Sequence, residues 1–118
     1  MTPDAGSFTP MTSIAVRITR FVDEHEPGFV ECTLVDATRK KHTFVEKAPV
    51  VNTENLWSTS VYPCQGAIAC EVQERWYSPH GEEFVQVSTE RPWSIESTEG
   101  LSSFVVAASQ LTATPSEA

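Results

Sequence analysis

The residues best equipped for chemistry are His25, His42 and His80, with Cys32, Cys64 and Cys70 lying between the first and the last of them. Nucleophilic catalysis needs a nucleophile, a base and a group that orients the base, brought together by the fold. Cys64 with one of the three histidines is the combination this sequence offers. Cys64 lies between Pro63 and Gln65-Gly66, a loop context that makes it the expected reactive thiol. No nucleophile-elbow pattern surrounds any serine, and no comparable signature surrounds a cysteine. Metal binding needs clustered ligands, and CxxC, HxH and HExxH spacings are all absent, so no metal site is expected. There is no glycine-rich phosphate loop, and no cofactor is expected. Glu71 and Glu74 have the spacing of a solvated strand face rather than of a paired catalytic site.

The elements that would position such groups are strands. Ala67 to Trp76 and Glu83 to Thr89 both alternate in period two and flank Ser78-Pro79-His80-Gly81. That pattern is a β-hairpin with its turn at 78–82. It places Ile68, Cys70 and Val72 on one side and Ala67, Ala69 and Glu71 on the other. Ile14, Val16 and Ile18 mark a first strand over 13–22, and Val30, Cys32 and Leu34 a second over 29–35, joined through Pro27-Gly28. His42 to Glu46 reads as a third, closed by Pro49. Residues 52–66 have no sustained period and read as a long loop, with Leu56-Trp57 as a short element plugging one end as the plainer alternative. Residues 91–96 read as extended. Residues 103–108 read as a closing strand, with a C-terminal helix over about 98–111 as the alternative, because Leu101, Phe104, Val105, Ala108 and Leu111 also fit a helical face. The expected fold is all-β: a small antiparallel β-barrel or sandwich of about 6–7 strands. Residues 1–11 read as a flexible leader, 12–111 as a single β domain and 112–118 as a disordered tail.

Charge and composition narrow the function classes. Residues 51–118 hold nine glutamates against Arg75 and Arg91, a net of −7 out of −8 for the whole chain. Such a surface repels phosphate backbones, so no nucleic-acid partner is expected, and it suits a basic protein. No stretch reaches the ~20 apolar residues of a membrane helix. The start has no signal-peptide pattern, and the strand positions of Cys32 and Cys70 suit buried thiols, so the expected location is cytoplasmic.

The aromatic residues gather near the ends of elements. Trp76 and Tyr77 open the central turn, Trp57 and Tyr62 lie in the 52–66 loop, and Trp93 follows Arg91-Pro92. Trp, Tyr and Arg are the residue types that anchor interfaces. In an extended segment Arg91 and Trp93 would project on one side. Trp57, Tyr62, Arg91 and Trp93 are therefore the candidate binding residues. The competing role is structural, with Trp93 capping the core and Arg91 paired to a glutamate.

The segments Arg17-Ile18-Thr19-Arg20-Phe21-Val22-Asp23, Gly66 to Val72 and Ser88 to Gly100 resemble parts of short bacterial proteins of no assigned activity. The resemblance covers about residues 13–111. It implies a bacterial, stand-alone single domain and transfers no site residue. The expected function is non-catalytic binding of a basic protein, immunity- or inhibitor-like, by a monomer or homodimer. A small-molecule barrel or minor enzyme using the 52–66 loop, and a structural homo-oligomer, are the alternatives.

Overall fold

The computed structural model describes residues 12–52, 56 and 59–113. Among the described residues seven strands form one curled, half-barrel antiparallel sheet. They are β1 (Thr12–Asp23), β2 (Phe29–Val35), β3 (Lys41–Lys47), β4 (Cys64–Tyr77), β5 (Glu83–Ser88), β6 (Ser103–Ala107) and β7 (Leu111–Ala113). The order across the sheet is β3-β2-β1-β4-β5-β6, and β7 pairs with the start of β1. A short helix, α1 (Ala48–Val51), follows β3 and carries Pro49 in its first turn, where the missing N–H costs nothing.

Alternation builds the core. Ile14, Val16 and Ile18 of β1 turn inward with Val30, Cys32 and Leu34 of β2, Phe44 of β3, Ile68 of β4, Val85 and Val87 of β5, and Phe104 and Val106 of β6. Burying each large aliphatic or aromatic side chain is worth about 1.5–3 kcal/mol, which drives the sheet to curl around them. The edges approach each other through single bonds. Ala37 N donates to Val105 O at 2.8 Å, and Thr98 N donates to Thr43 O at 2.7 Å. The Phe44 and Phe104 rings meet edge to face at 5.6 Å across this seam.

The hairpin around 78–82 forms as its sequence predicts, and Ile68 and Cys70 are buried. Ala69, expected on the outer side, is buried as well. Three expectations need correction. Cys64 is in a strand, not a loop: β4 begins at Cys64, because the Asn52 side chain donates to Gln65 O at 2.9 Å and ties the end of α1 to this segment. Gly66 allows that approach, since a Cβ there would lie 2.9 Å from Val51 O and 2.7 Å from the Ile18 side chain. Residues 91–96 are not extended: Ser94 N reaches back to Glu90 O at 2.7 Å, and Ser94 takes a φ of 55°. The segment read as a tail from 112 still carries strand, since β7 runs to Ala113 beside Thr12. Over 98–111 the closing strand forms rather than the helix; Val105 and Val106 suit a strand, and the remainder is a 3-10 turn at Ala108–Gln110.

Candidate functional site

The 14-residue β4 is the element that organises the surface. It changes partner midway. Residues 64–70 pair with β1, and residues 71–77 pair with β5, with an irregularity of register between Val72 and Glu74. A bulge of this kind bends a strand and re-aims the side chains that follow it. Over Gln73-Glu74-Arg75 the sequence is polar on both faces, while Val85, opposite Arg75 on β5, stays in the core. Gln73, Glu74, Arg75, Trp76 and Tyr77 are all exposed.

This half of β4 and the turn that follows it form an exposed arm along β5, which is itself held by β6 and keeps Val85 and Val87 in the core. Its turn is closed by Ser78 N donating to Glu82 O and Gly81 N donating to Ser78 O, with Gly81 at a φ of 84°. A left-handed φ of that kind is open to glycine at no steric cost. Trp76 packs its ring 6.5 Å from Phe84 across the hairpin, and Arg75 pairs with Glu83 at 3.2 Å. Tyr77 is 69% exposed. The same half of β4 carries Glu71 and Glu74, the turn and the start of β5 carry Glu82 and Glu83, and Glu90 lies just past the end of β5. The arm is therefore aromatic at its tip and acidic along its length.

The candidate binding residues fall in different places. Trp57 lies outside the described residues. Tyr62 is partly buried and packs against the core, and burial raises its phenol above the ordinary value. Arg91 and Trp93 are exposed on the turn after β5, at the far end of the β1-paired half of β4 from Tyr62. Trp93 is 57% exposed, so it does not cap the core, and neither Arg91 nor Trp93 makes an ion pair or ring contact among the described residues. Trp76 and Tyr77, at the end of β4, are a further exposed aromatic pair. The sequence marks them by the loss of apolar residues on both faces at 73–75.

The thiols divide as strand alternation requires. Cys32 and Cys70 are buried, and burial pushes their thiols up to about 12 and about 11. Both are poor nucleophiles in that state. Cys64 is half-buried, opposite Ile18 on the core side of β4.

At the opposite end of the sheet, Asp36 and His42 form a close pair. Nε2 of His42 lies 2.8 Å from Asp36 Oδ2. Burial acts to raise the Asp36 carboxyl, but hydrogen bonds from His42, the Thr38 hydroxyl and the backbone N–H groups of Lys40 and Thr38 outweigh it and lower it to about 2. An ionised carboxylate only accepts, so Nε2 carries the proton. Nδ1 is buried without a hydrogen-bond partner among the described residues, and the ring stacks edge-on to Phe104 at 4.8 Å. The pair resembles the base and orienting group of a triad, yet no hydroxyl or thiol engages the free nitrogen. Its visible work is to hold the β2–β3 turn.

An open cleft of about 590 Å³ lies where Arg17 sits between Thr33 and Gln65 in register, bordered by Pro63, Cys64 and Gln110. Arg17 has no acidic partner among the described residues. Among the described residues no group of His, Cys, Asp and Glu side chains could hold a metal ion, and no helix is long and apolar enough to cross a membrane. No protein family, no curated protein and no solved structure matches the chain.

Proposed function

We propose that this protein is a non-catalytic binding domain whose acidic, aromatic-tipped arm engages a basic protein. One observation carries the reading: Trp76 and Tyr77 stand exposed at the end of β4, on a strand half that also carries the exposed Glu71 and Glu74 and turns into the exposed Glu82. Exposed aromatic residues of this size anchor interfaces, and the surrounding carboxylates steer a cationic partner and disfavour an anionic one. An inhibitor or immunity role, in which the arm covers a basic surface, fits this chemistry. Cytoplasmic residence of a bacterial protein is part of the same proposal, supported by the reduced, buried Cys32 and Cys70.

The test is capture from the native host with identification of what is bound. The expected partner is basic, its binding weakens as salt rises, and charge reversal at Glu74 and Glu82 releases it. A partner that is acidic, or binding indifferent to those reversals, refutes the reading. The cleft at Arg17 favours a second reading, a small carboxylate ligand held there; chemical shifts at Arg17, Thr33 and Gln65 on titration with simple carboxylic acids would support it, and unmoved shifts would dismiss it.

A further inference from the structure

The outer side of the sheet is divided by charge. On β1, Arg17 alternates with the buried Val16 and Ile18, so it points away from the core. Thr33 and Val35 of β2 and Lys41, Val45 and Lys47 of β3 share that side, with Arg17 opposite Thr33 and Val35 opposite Lys41. Arg17, Lys41 and Lys47 are exposed, and the valines between them stay open, Val35 at 49% and Val45 at 44% exposure. Glu31, opposite Val45, is held by Arg20 at 3.2 Å and accepts from the Thr19 hydroxyl at 2.8 Å. The face is therefore a branched, half-apolar patch rimmed by cations that make no ion pair among the described residues. The described chain begins and ends away from it: Thr12 and Ala113 pair with each other, and Thr12 lies opposite Cys70.

The far end of β4 carries the opposite charge on the same side. Val85 is buried, and Arg75 opposite it shares its side of the sheet, whereas Glu74 opposite Gln86 and Trp76 opposite Phe84 take the outer side. Exposed Glu71 joins them, between Cys70 and Val72, which meet the core. One patch sets cations around valines, the other carboxylates around an indole. They cannot meet within one chain. Arg17 lies opposite Gln65, and Trp76 stands eleven residues farther along β4. At about 3.3 Å per residue that is a path of roughly 35 Å, which no side chain spans.

We propose that the Glu71, Glu74 and Trp76 surface of one copy docks on the Arg17, Lys41 and Lys47 face of a second copy of this chain, head to tail. The carboxylates meet the cations, and the indole covers Val35 and Val45. The contact joins two different patches, so it is heterologous. The net charge of −8 opposes association at long range. At physiological salt, charges farther apart than about 8 Å are screened, so the local pairing decides. This rests on the reading of the arm as a binder of basic protein and names a second copy as one such protein.

Sedimentation velocity of the full chain tests it. A small polar contact is a weak one, with a Kd on the order of 100 μM, so the sedimentation coefficient should rise between ~10 μM and ~1 mM and return to the monomer's as salt is added. Two charge-reversed variants separate the patches. Glu71→Lys/Glu74→Lys reverses the arm, and Arg17→Glu/Lys41→Glu reverses the face; Lys41→Glu/Lys47→Glu serves if the latter does not fold. Each alone should stay monomeric with an unchanged Tm. An equimolar mixture of the two should associate again, because each reversed patch then finds its opposite. An unmodified chain that is monomeric throughout overturns self-docking, while capture of a different basic protein still supports the arm as a binder. Association that survives either reversal, or a mixture that stays monomeric, overturns the proposal because other surfaces are then in contact. A monomer whose Arg17 and Lys41 amide shifts move with a glutamate-rich peptide places a foreign acidic segment on the face and overturns it too.

Discussion

The Asp36 end of the sheet and the Trp76 arm use polar and aromatic groups in opposite ways. Around Asp36 one carboxylate accepts from His42, from the Thr38 hydroxyl and from two backbone N–H groups, and the aromatic rings of Phe44 and Phe104 are buried beneath. On the arm the carboxylates of Glu71, Glu74 and Glu82 face water, and the rings of Trp76 and Tyr77 stay exposed. The first arrangement puts its groups into holding the fold. The second leaves them free for a partner. Substitutions should therefore separate cleanly, with stability lost at one end and binding at the other.

The largest effect is expected in the core beneath the Asp36 end. Phe44 is fully buried, and Phe44→Ala should cost about 3–5 kcal/mol, read as a lower midpoint in denaturant. A cost below about 1 kcal/mol would break the comparison, because it would mean that the seam between β3 and β6 is not packed.

The next effect is electrostatic. The Asp36 carboxyl is held at about 2 against an ordinary 3.8. A lowered folded-state value contributes stability that is present above the unfolded value and lost as pH falls through the folded one. Here that is about 2 kcal/mol, intact above pH ~4 and lost towards pH ~2. Asp36→Asn should lose that amount at neutral pH and converge with the unmodified protein in acid. Parallel stability curves for the two down to pH ~2 would show that Asp36 is not the group responsible.

How much of this could be read from the residues differs between the two regions as well. The core was legible because Ile14-Val16-Ile18 and Val30-Cys32-Leu34 alternate without interruption, and a period of two fixes both the element and its inner face. The Asp36–His42 pair was not legible, since five residues, 37–41, separate its members and only the fold closes the gap. The role given to Arg91 and Trp93 assumed an extended backbone, but the tight turn at Ser94 is set by tertiary bonds from Thr89 to Ile95. Cys64 looked like a loop residue because Pro63 and Gly66 surround it. Asn52 and α1, whose contacts are not local in sequence, draw it into β4. The change of partner along β4 leaves only a faint trace, the polar run at Gln73-Glu74-Arg75.

A smaller effect sharpens the same contrast within the thiols. Cys32 and Cys70, raised to about 12 and about 11, should resist iodoacetamide in the native protein, whereas half-buried Cys64 should label first. Labelling of all three at one rate would indicate that the core opens as a unit, with no distinct rigid end.

The central claim is that the arm binds and the remainder supports it, and one measurement meets it most directly. Trp76→Ala/Tyr77→Ala is made in the full chain, and its Tm and its affinity for the captured basic partner are measured together. The expected result is a stability change of no more than about 1 kcal/mol, with affinity weakened by about 2 kcal/mol or more, roughly thirty-fold. An unchanged affinity, or a fall in Tm large enough to explain the lost binding by unfolding, would contradict the claim and return both rings to the fold.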